Sequence, residues 1–161
     1  MKIVTILGST GAFYRLVDEI WAGPYPDRIM IPRLVEQGVR TFVNLTRWDE
    51  RLLRFMRAYK KHLPNGTKHL NFPLWTYSLP PVEQMLHIVD AVEGHSPTYL
   101  HCRHGLDRTG VTAVLILMKR GMALQEALEH IATARGNQPQ PSPRNNYHFR
   151  YLANAAKILA K

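Results

Sequence analysis

The chain has a single cysteine, Cys102, among its 161 residues. A lone cysteine excludes an internal disulfide and any zinc site built from several cysteines, and leaves one thiol to account for. Long apolar runs are missing too. The apolar run Val114 to Met118 falls far short of the roughly 18 or more residues of a membrane-spanning helix. There is no internal repeat and no low-complexity tract. Acidic residues are scarce: 12 Asp and Glu face 21 Lys and Arg, a formal charge of +9. That excess favours anionic partners, whether phosphorylated substrates, RNA or acidic lipid, and does not choose among them. A local shortage matters more. The stretch Phe72 to Pro81 contains no Asp or Glu at all.

What remains is ordinary globular composition, 45% hydrophobic and 20% charged, which argues against disorder. The length suits one domain, residues 1–161. Met1 to Thr10 carries only a brief apolar stretch and no convincing cleavage site, so it reads as the first strand of a cytoplasmic protein. The expected elements follow in order. Lys2 to Leu7 is a strand. Phe13 to Ala22 is a hairpin turning near Asp18-Glu19. Pro32 to Gln37 is a short helix before Gly38, and Val39 to Leu45 a buried strand. Leu52, Met56, Tyr59 and Leu63 recur at steps of three and four, which predicts an amphipathic helix over 49–63 with its cations in solvent. A strand at 68–72, a loop at 73–80 and a helix at 81–92 come next. Thr98 to His101 is a short strand. An apolar helix runs to about Arg120, a second helix spans 124–135, and a proline-rich loop leads to a last helix over 144–160. Strands alternate with helices early and helices dominate late. The expected fold class is α/β, with a central, mostly parallel sheet flanked by helices.

The chemistry concentrates in residues 101–110. A strand running through a tight loop into a helix N-terminus points several backbone N–H groups at one spot, with the helix dipole behind them. That spot suits a phosphate dianion, and the same field stabilises a thiolate. Cys102 opens this loop. Arg108 closes it, and arginine is the side chain suited to bidentate contact with phosphate oxygens. Gly105 lets the backbone turn tightly around the anion. Nucleophile, anion cradle and cation in one short loop imply phosphoryl transfer through a cysteinyl-phosphate. No cofactor and no metal is called for. His101 and His104 lack a third ligand, and Gly8-Ser9-Thr10-Gly11 matches no nucleotide-binding glycine pattern.

The run His101-Cys102-Arg103-His104-Gly105-Leu106-Asp107-Arg108-Thr109-Gly110 resembles the signature loop of cysteine-based protein tyrosine phosphatases, in particular their compact dual-specificity branch. More loosely, Phe13-Tyr14-Arg15, Trp21 to Pro26 and Gly38 to Leu45 resemble the opening elements of such domains. The resemblance implies a hydrolase acting on phosphotyrosine and phosphoserine or phosphothreonine in proteins. It implies that Cys102 is the nucleophile and that Arg108 binds the phosphate. The amides of Arg103, His104, Gly105, Leu106, Asp107 and Arg108 would cradle the anion. Thr109 would ease loss of the thiolate and His101 would orient the loop.

One departure stands out. The family usually carries an aspartate general acid on a separate loop before the cysteine, and the matching stretch here is the acid-free Phe72 to Pro81. Asp107, inside the signature loop, is the substitute proton donor expected here, as implied by lipid phosphatases of the myotubularin type. Its other reading is a helix cap or the partner of a nearby cation. Arg103 is either a rim contact for a second phosphate or an exposed cation. Trp75 and Tyr77 either line the mouth of the site or pack. Arg144, Asn145 and Asn146 either approach the site or start the last helix. His104 resembles the loop of RNA 5′-triphosphatases of the capping type, although Asp107 stands where they have Asn. Phosphoinositides and 5′-triphosphorylated RNA are therefore alternative substrates, and no aromatic and basic stacking surface is evident in the sequence. A phosphate-binding pseudophosphatase is the alternative of a different class. Oligomeric state is not legible.

Overall fold

A computed structural model describes residues 6–8, 11–52, 58–136 and 138–161. Six strands form one sheet in the order β1-β2-β3-β6-β4-β5. They are β1 (Ile6–Gly8), β2 (Gly11–Val17), β3 (Ile20–Gly23), β4 (Thr41–Asn44), β5 (Lys68–Asn71) and β6 (Thr98–His101). β1 with β2 and β2 with β3 are antiparallel hairpins. β3, β6, β4 and β5 pair in parallel. The expected α/β class with a mostly parallel sheet is therefore what the chain adopts. Of the expected strand at 2–7, residues 2–5 lie outside the described residues, as do Ser9 and Thr10 of the glycine-flanked loop. The β2–β3 hairpin turns at Asp18, whose φ of +47° is a conformation that Asp tolerates better than most residues.

Alternation along the central strands divides the interior into two layers. Ile20, Ala22, Val43 and Leu100 face one cluster, built with α2 (Val82–Gly94), α3 (Arg108–Lys119), α4 (Leu124–Arg135) and α5 (Asn146–Leu159). Trp21, Phe42 and Tyr99 face the other, under α1 (Met30–Glu36). α3 is buried from Arg108 to Met118, as a helix apolar on nearly all sides must be. It packs against the sheet and against α2, α4 and α5.

Two helix starts differ from expectation for local reasons. The Asp27 carboxylate accepts the amides of Ile29 and Met30, so α1 begins before Pro32. The Arg144 amide donates to Asp107, which holds Arg144 outside α5. The amphipathic helix expected over 49–63 is not what forms. Trp48–Leu52 and Lys60–His62 are 3-10 turns, and residues 53–57 lie outside the described residues. Long-range pairing overrides the helical period here. Glu50 is drawn to Arg108, and Tyr59 is buried at 3% exposure against Tyr25, Phe42 and His101. The expected exposure of cations does hold for Lys60 and Lys61.

Candidate active site

In a parallel sheet the carboxyl ends of neighbouring strands lie along one edge, and a ligand site forms there. β6 ends at that edge beside β3 and β4. The segments that follow these strands converge on the loop after β6. The Tyr25 amide, beyond β3, donates to the Arg103 carbonyl, and the Leu45 amide, beyond β4, donates to that of His101.

The loop runs from Cys102, 3% exposed, to Arg108, 5% exposed and the first residue of α3. The amides of His104 to Asp107 donate to no backbone carbonyl among the described residues. Gly105 has φ +71°, and a Cβ there would lie 2.3 Å from the Gly23 carbonyl carbon. Only glycine fits that approach. Gly110 is needed for a different contact. A Cβ would stand 2.4 Å from Ser142 Oγ, whose hydroxyl donates to the Leu106 carbonyl at 2.7 Å and braces the loop from behind.

His101 is fully buried. Its Nδ1 lies 3.1 Å from the Cys102 carbonyl, which can only accept, so Nδ1 carries the proton. Burial, reinforced by the charges of His69 and Arg108 and opposed by that bond, pushes its pKa down to about 3. The ring is thus neutral, and Nε2 must accept. Tyr59 supplies the O–H at 2.5 Å. The Thr109 hydroxyl is buried and has no hydrogen-bond partner among the described residues.

Arg108 lies close enough to Cys102 for the cysteine to raise its pKa. Its guanidinium is also forked by Glu50, with Nη1 to Oε1 at 2.5 Å and Nη2 to Oε2 at 2.8 Å, and Nη1 donates to the Leu74 carbonyl at 3.1 Å. Burial opposes the charge on Arg108, but Glu50 and Cys102 outweigh it and raise its pKa. Burial likewise opposes ionisation of Glu50. Bonds from Arg108 and the Arg47 amide prevail and hold its carboxyl below the usual range. Glu50 was not anticipated. The available signal was its place a few residues beyond a strand that pairs with the signature strand.

Asp107 makes no side-chain cap to α3. Its carboxylate is bound by Arg144, through Nη2 at 2.6 Å, Nε at 3.2 Å and the backbone amide at 3.1 Å. Of the bland readings, the cation pair is the one the fold adopts. Burial would raise the Asp107 carboxyl, but the Arg144 bonds, with the charges of Arg144 and His148, bring it below its ordinary value. His104 is exposed. Partial burial and the charges of Arg103, Arg144 and Arg108 lower its pKa, against Asp107. Three guanidinium groups therefore impose a positive field on the loop mouth.

Trp75 and Tyr77, 58% and 66% exposed, line a cleft of about 280 Å³ with Arg47, Glu50, Leu74, Thr76, Ser78 and Arg108. The Arg47 guanidinium stacks on the Trp75 ring. The described residues contain no cluster of His, Cys, Asp and Glu fit to hold a metal. Among them, no helix is long and apolar enough to cross a membrane.

Fold and loop together define a cysteine-based phosphatase of the compact dual-specificity type, a hydrolase. More narrowly, the model of the polymorphic toxin system DSP-PTPase phosphatases, Tc-R-P, matches residues 28–122, more than half of the sequence, and the chain belongs to that family. No curated protein matches the sequence. Solved structures share the fold. Tk-PTP in its active form is 23% identical, with a TM-score of 0.72 over 90% of this chain and 96% of its own. PTPMT1 is 20% identical, with a TM-score of 0.73 over 92% and 96%. The human tyrosine phosphatase-like serine/threonine/tyrosine-interacting protein is 15% identical, with a TM-score of 0.74 over 92% and 98%.

Proposed function

We propose that the chain hydrolyses phosphomonoesters on protein side chains, phosphotyrosine and phosphoserine or phosphothreonine, in two steps without a metal or cofactor. The observation that carries this reading is the single loop in which Cys102 directly follows β6, Arg108 opens α3, and the amides of His104 to Asp107 donate to no backbone carbonyl among the described residues. The Cys102 sulfur gives an electron pair to phosphorus as the bond to the leaving oxygen breaks. That oxygen takes the bonding pair and a proton from Asp107. Water then attacks phosphorus, the S–P pair returns to sulfur, and the water proton goes to the Asp107 carboxylate. Arg108 and the amides of Arg103 to Arg108 stabilise charge on the phosphoryl oxygens in both steps. His101 fixes the loop, and the Thr109 hydroxyl is available to the departing sulfur.

A second reading, hydrolysis at the 5′ end of RNA, gains from the exposed Trp75 and Tyr77 beside Arg47. An aromatic face with a stacked cation is a platform on which a base can stack. Phosphate release by wild type and Cys102→Ser across phosphotyrosine and phosphothreonine peptides, phosphoinositides and 5′-triphosphorylated RNA tests both. Cys102-dependent turnover fastest on peptides is the expected result. A preference for RNA or lipid overturns the protein-substrate reading. No turnover with phosphate binding retained would make the chain a pseudophosphatase.

A further inference from the structure

The proton donor and its guanidinium partner present a conflict. Asp107 is 5% exposed at its side chain and Arg144 is 36% exposed. A carboxylate bonded three times by one arginine is a poor proton donor, because every bond favours its ionised form. Nothing else at the loop replaces it. Phe72 to Pro81 has no acid, and Glu50 is committed to Arg108.

Arg144 is the movable member of the pair. It precedes α5, it lies near enough to Tyr77 and Cys102 for their charges to raise its pKa, and its own charge lowers that of His104. It therefore stands at the mouth, where an anion on the substrate meets it. The other charged or titratable groups facing Asp107 are His148, whose Nδ1 is 3.8 Å from Oδ1, and His104 on its own loop. His148 is tied through Nε2 to the Thr76 carbonyl at 2.7 Å, so it does not leave with a substrate.

We propose that Arg144 is a substrate-responsive positioning residue: it occupies the Asp107 carboxylate in the free site and releases it to a phosphoester that carries a second anionic group. The guanidinium turns to that second group. The vacated carboxyl takes a proton from solvent and delivers it to the leaving oxygen, as in the first step above. The substrate class this favours is the bisphosphorylated or phosphate-plus-carboxylate ester. The inference rests on the phosphatase reading and on Asp107 as its acid.

The test compares propyl phosphate with 1,3-propanediol bisphosphate, both with poor leaving groups that need a proton. In wild type, kcat should be about tenfold or more higher on the bisphosphate, with the basic limb of its pH profile displaced upward, a size typical of general acid catalysis. Arg144→Gln should erase most of that ratio by raising kcat on propyl phosphate and moving its basic limb up. Arg144→Lys, which keeps charge but not the fork, should fall between. Asp107→Asn should remove the limb with both substrates. An unchanged ratio in Arg144→Gln, or a change confined to KM with superimposable pH profiles, overturns the inference. Turnover of p-nitrophenyl phosphate by wild type and Cys102→Ser separates the two levels. If that turnover depends on Cys102, a failed comparison sinks this inference alone. If it is absent or survives the substitution, the phosphatase reading falls and the inference with it.

Discussion

His101 shows how one buried side chain sets a pH limit on the whole loop. It must stay neutral to donate through Nδ1 and accept from Tyr59 through Nε2. Its pKa is about 3 in the folded chain and about 6.5 when unfolded. For a base whose pKa is depressed by folding, the unfolded state binds the proton first. Its stabilising contribution is therefore fully present above about pH 6.5 and is lost as pH falls from there toward 3. Urea denaturation of wild type should show stability dropping by up to about 1.4 kcal/mol per pH unit from this one group. His101→Asn should show a slope shallower by close to one proton over that window. Parallel slopes would sink the assignment. The place of the loop was legible, because a β-run leads into Cys102 and an apolar helix follows Arg108. Glu50 and the Asp107–Arg144 fork were not. Each joins residues far apart in sequence, 58 and 37 positions, and no local pattern encodes such a pair.

Elements whose faces are set by the sheet were read correctly, and the one whose face is set by single polar contacts was not. Ile20-Trp21-Ala22 and Thr98-Tyr99-Leu100 alternate between the two layers, so their period survives in the sequence. Leu52, Met56, Tyr59 and Leu63 have a helical period as well. It yields to the Glu50–Arg108 fork and the Tyr59–His101 bond, which are made to other elements. α3 holds its place by a close contact of the same long-range kind. Gly110 lets it approach Ser142 and Pro143, where an added Cβ would lie 2.4 and 2.8 Å from their atoms. Gly110→Ala should push that segment away, break the Ser142 bond to Leu106, and cost about 1–3 kcal/mol of stability by overpacking. It should also lower phosphatase activity, since Leu106 lies in the loop. Denaturation midpoints together with turnover check this. Unchanged stability would mean the 142–143 segment yields without loss.

At the scale of the molecule, one charge distribution pulls stability and activity in opposite directions. The chain carries +9, and Arg103, Arg108 and Arg144 gather around the loop mouth. Like charges at that density repel one another in the folded state, while the field they make draws anionic substrates toward the site. Salt weakens both effects, because the screening length shrinks from roughly 30 Å at 0.01 M to 3 Å at 1 M. Raising ionic strength should therefore raise Tm and lower kcat/KM together. The loss in kcat/KM should be steeper for 1,3-propanediol bisphosphate than for propyl phosphate, because more charge is being steered; about tenfold for the first against about threefold for the second is the scale expected from steering of this kind. A neutral phosphonate dimethyl ester, used as a competitive binder, should bind almost independently of salt. If Tm fell with salt, the cations would have to be stabilised by their ion pairs, such as Arg120 with Asp18 and Glu93, more than they are opposed by one another. If kcat/KM stayed level for both substrates, the positive field would end at the rim and the net charge would serve some other surface.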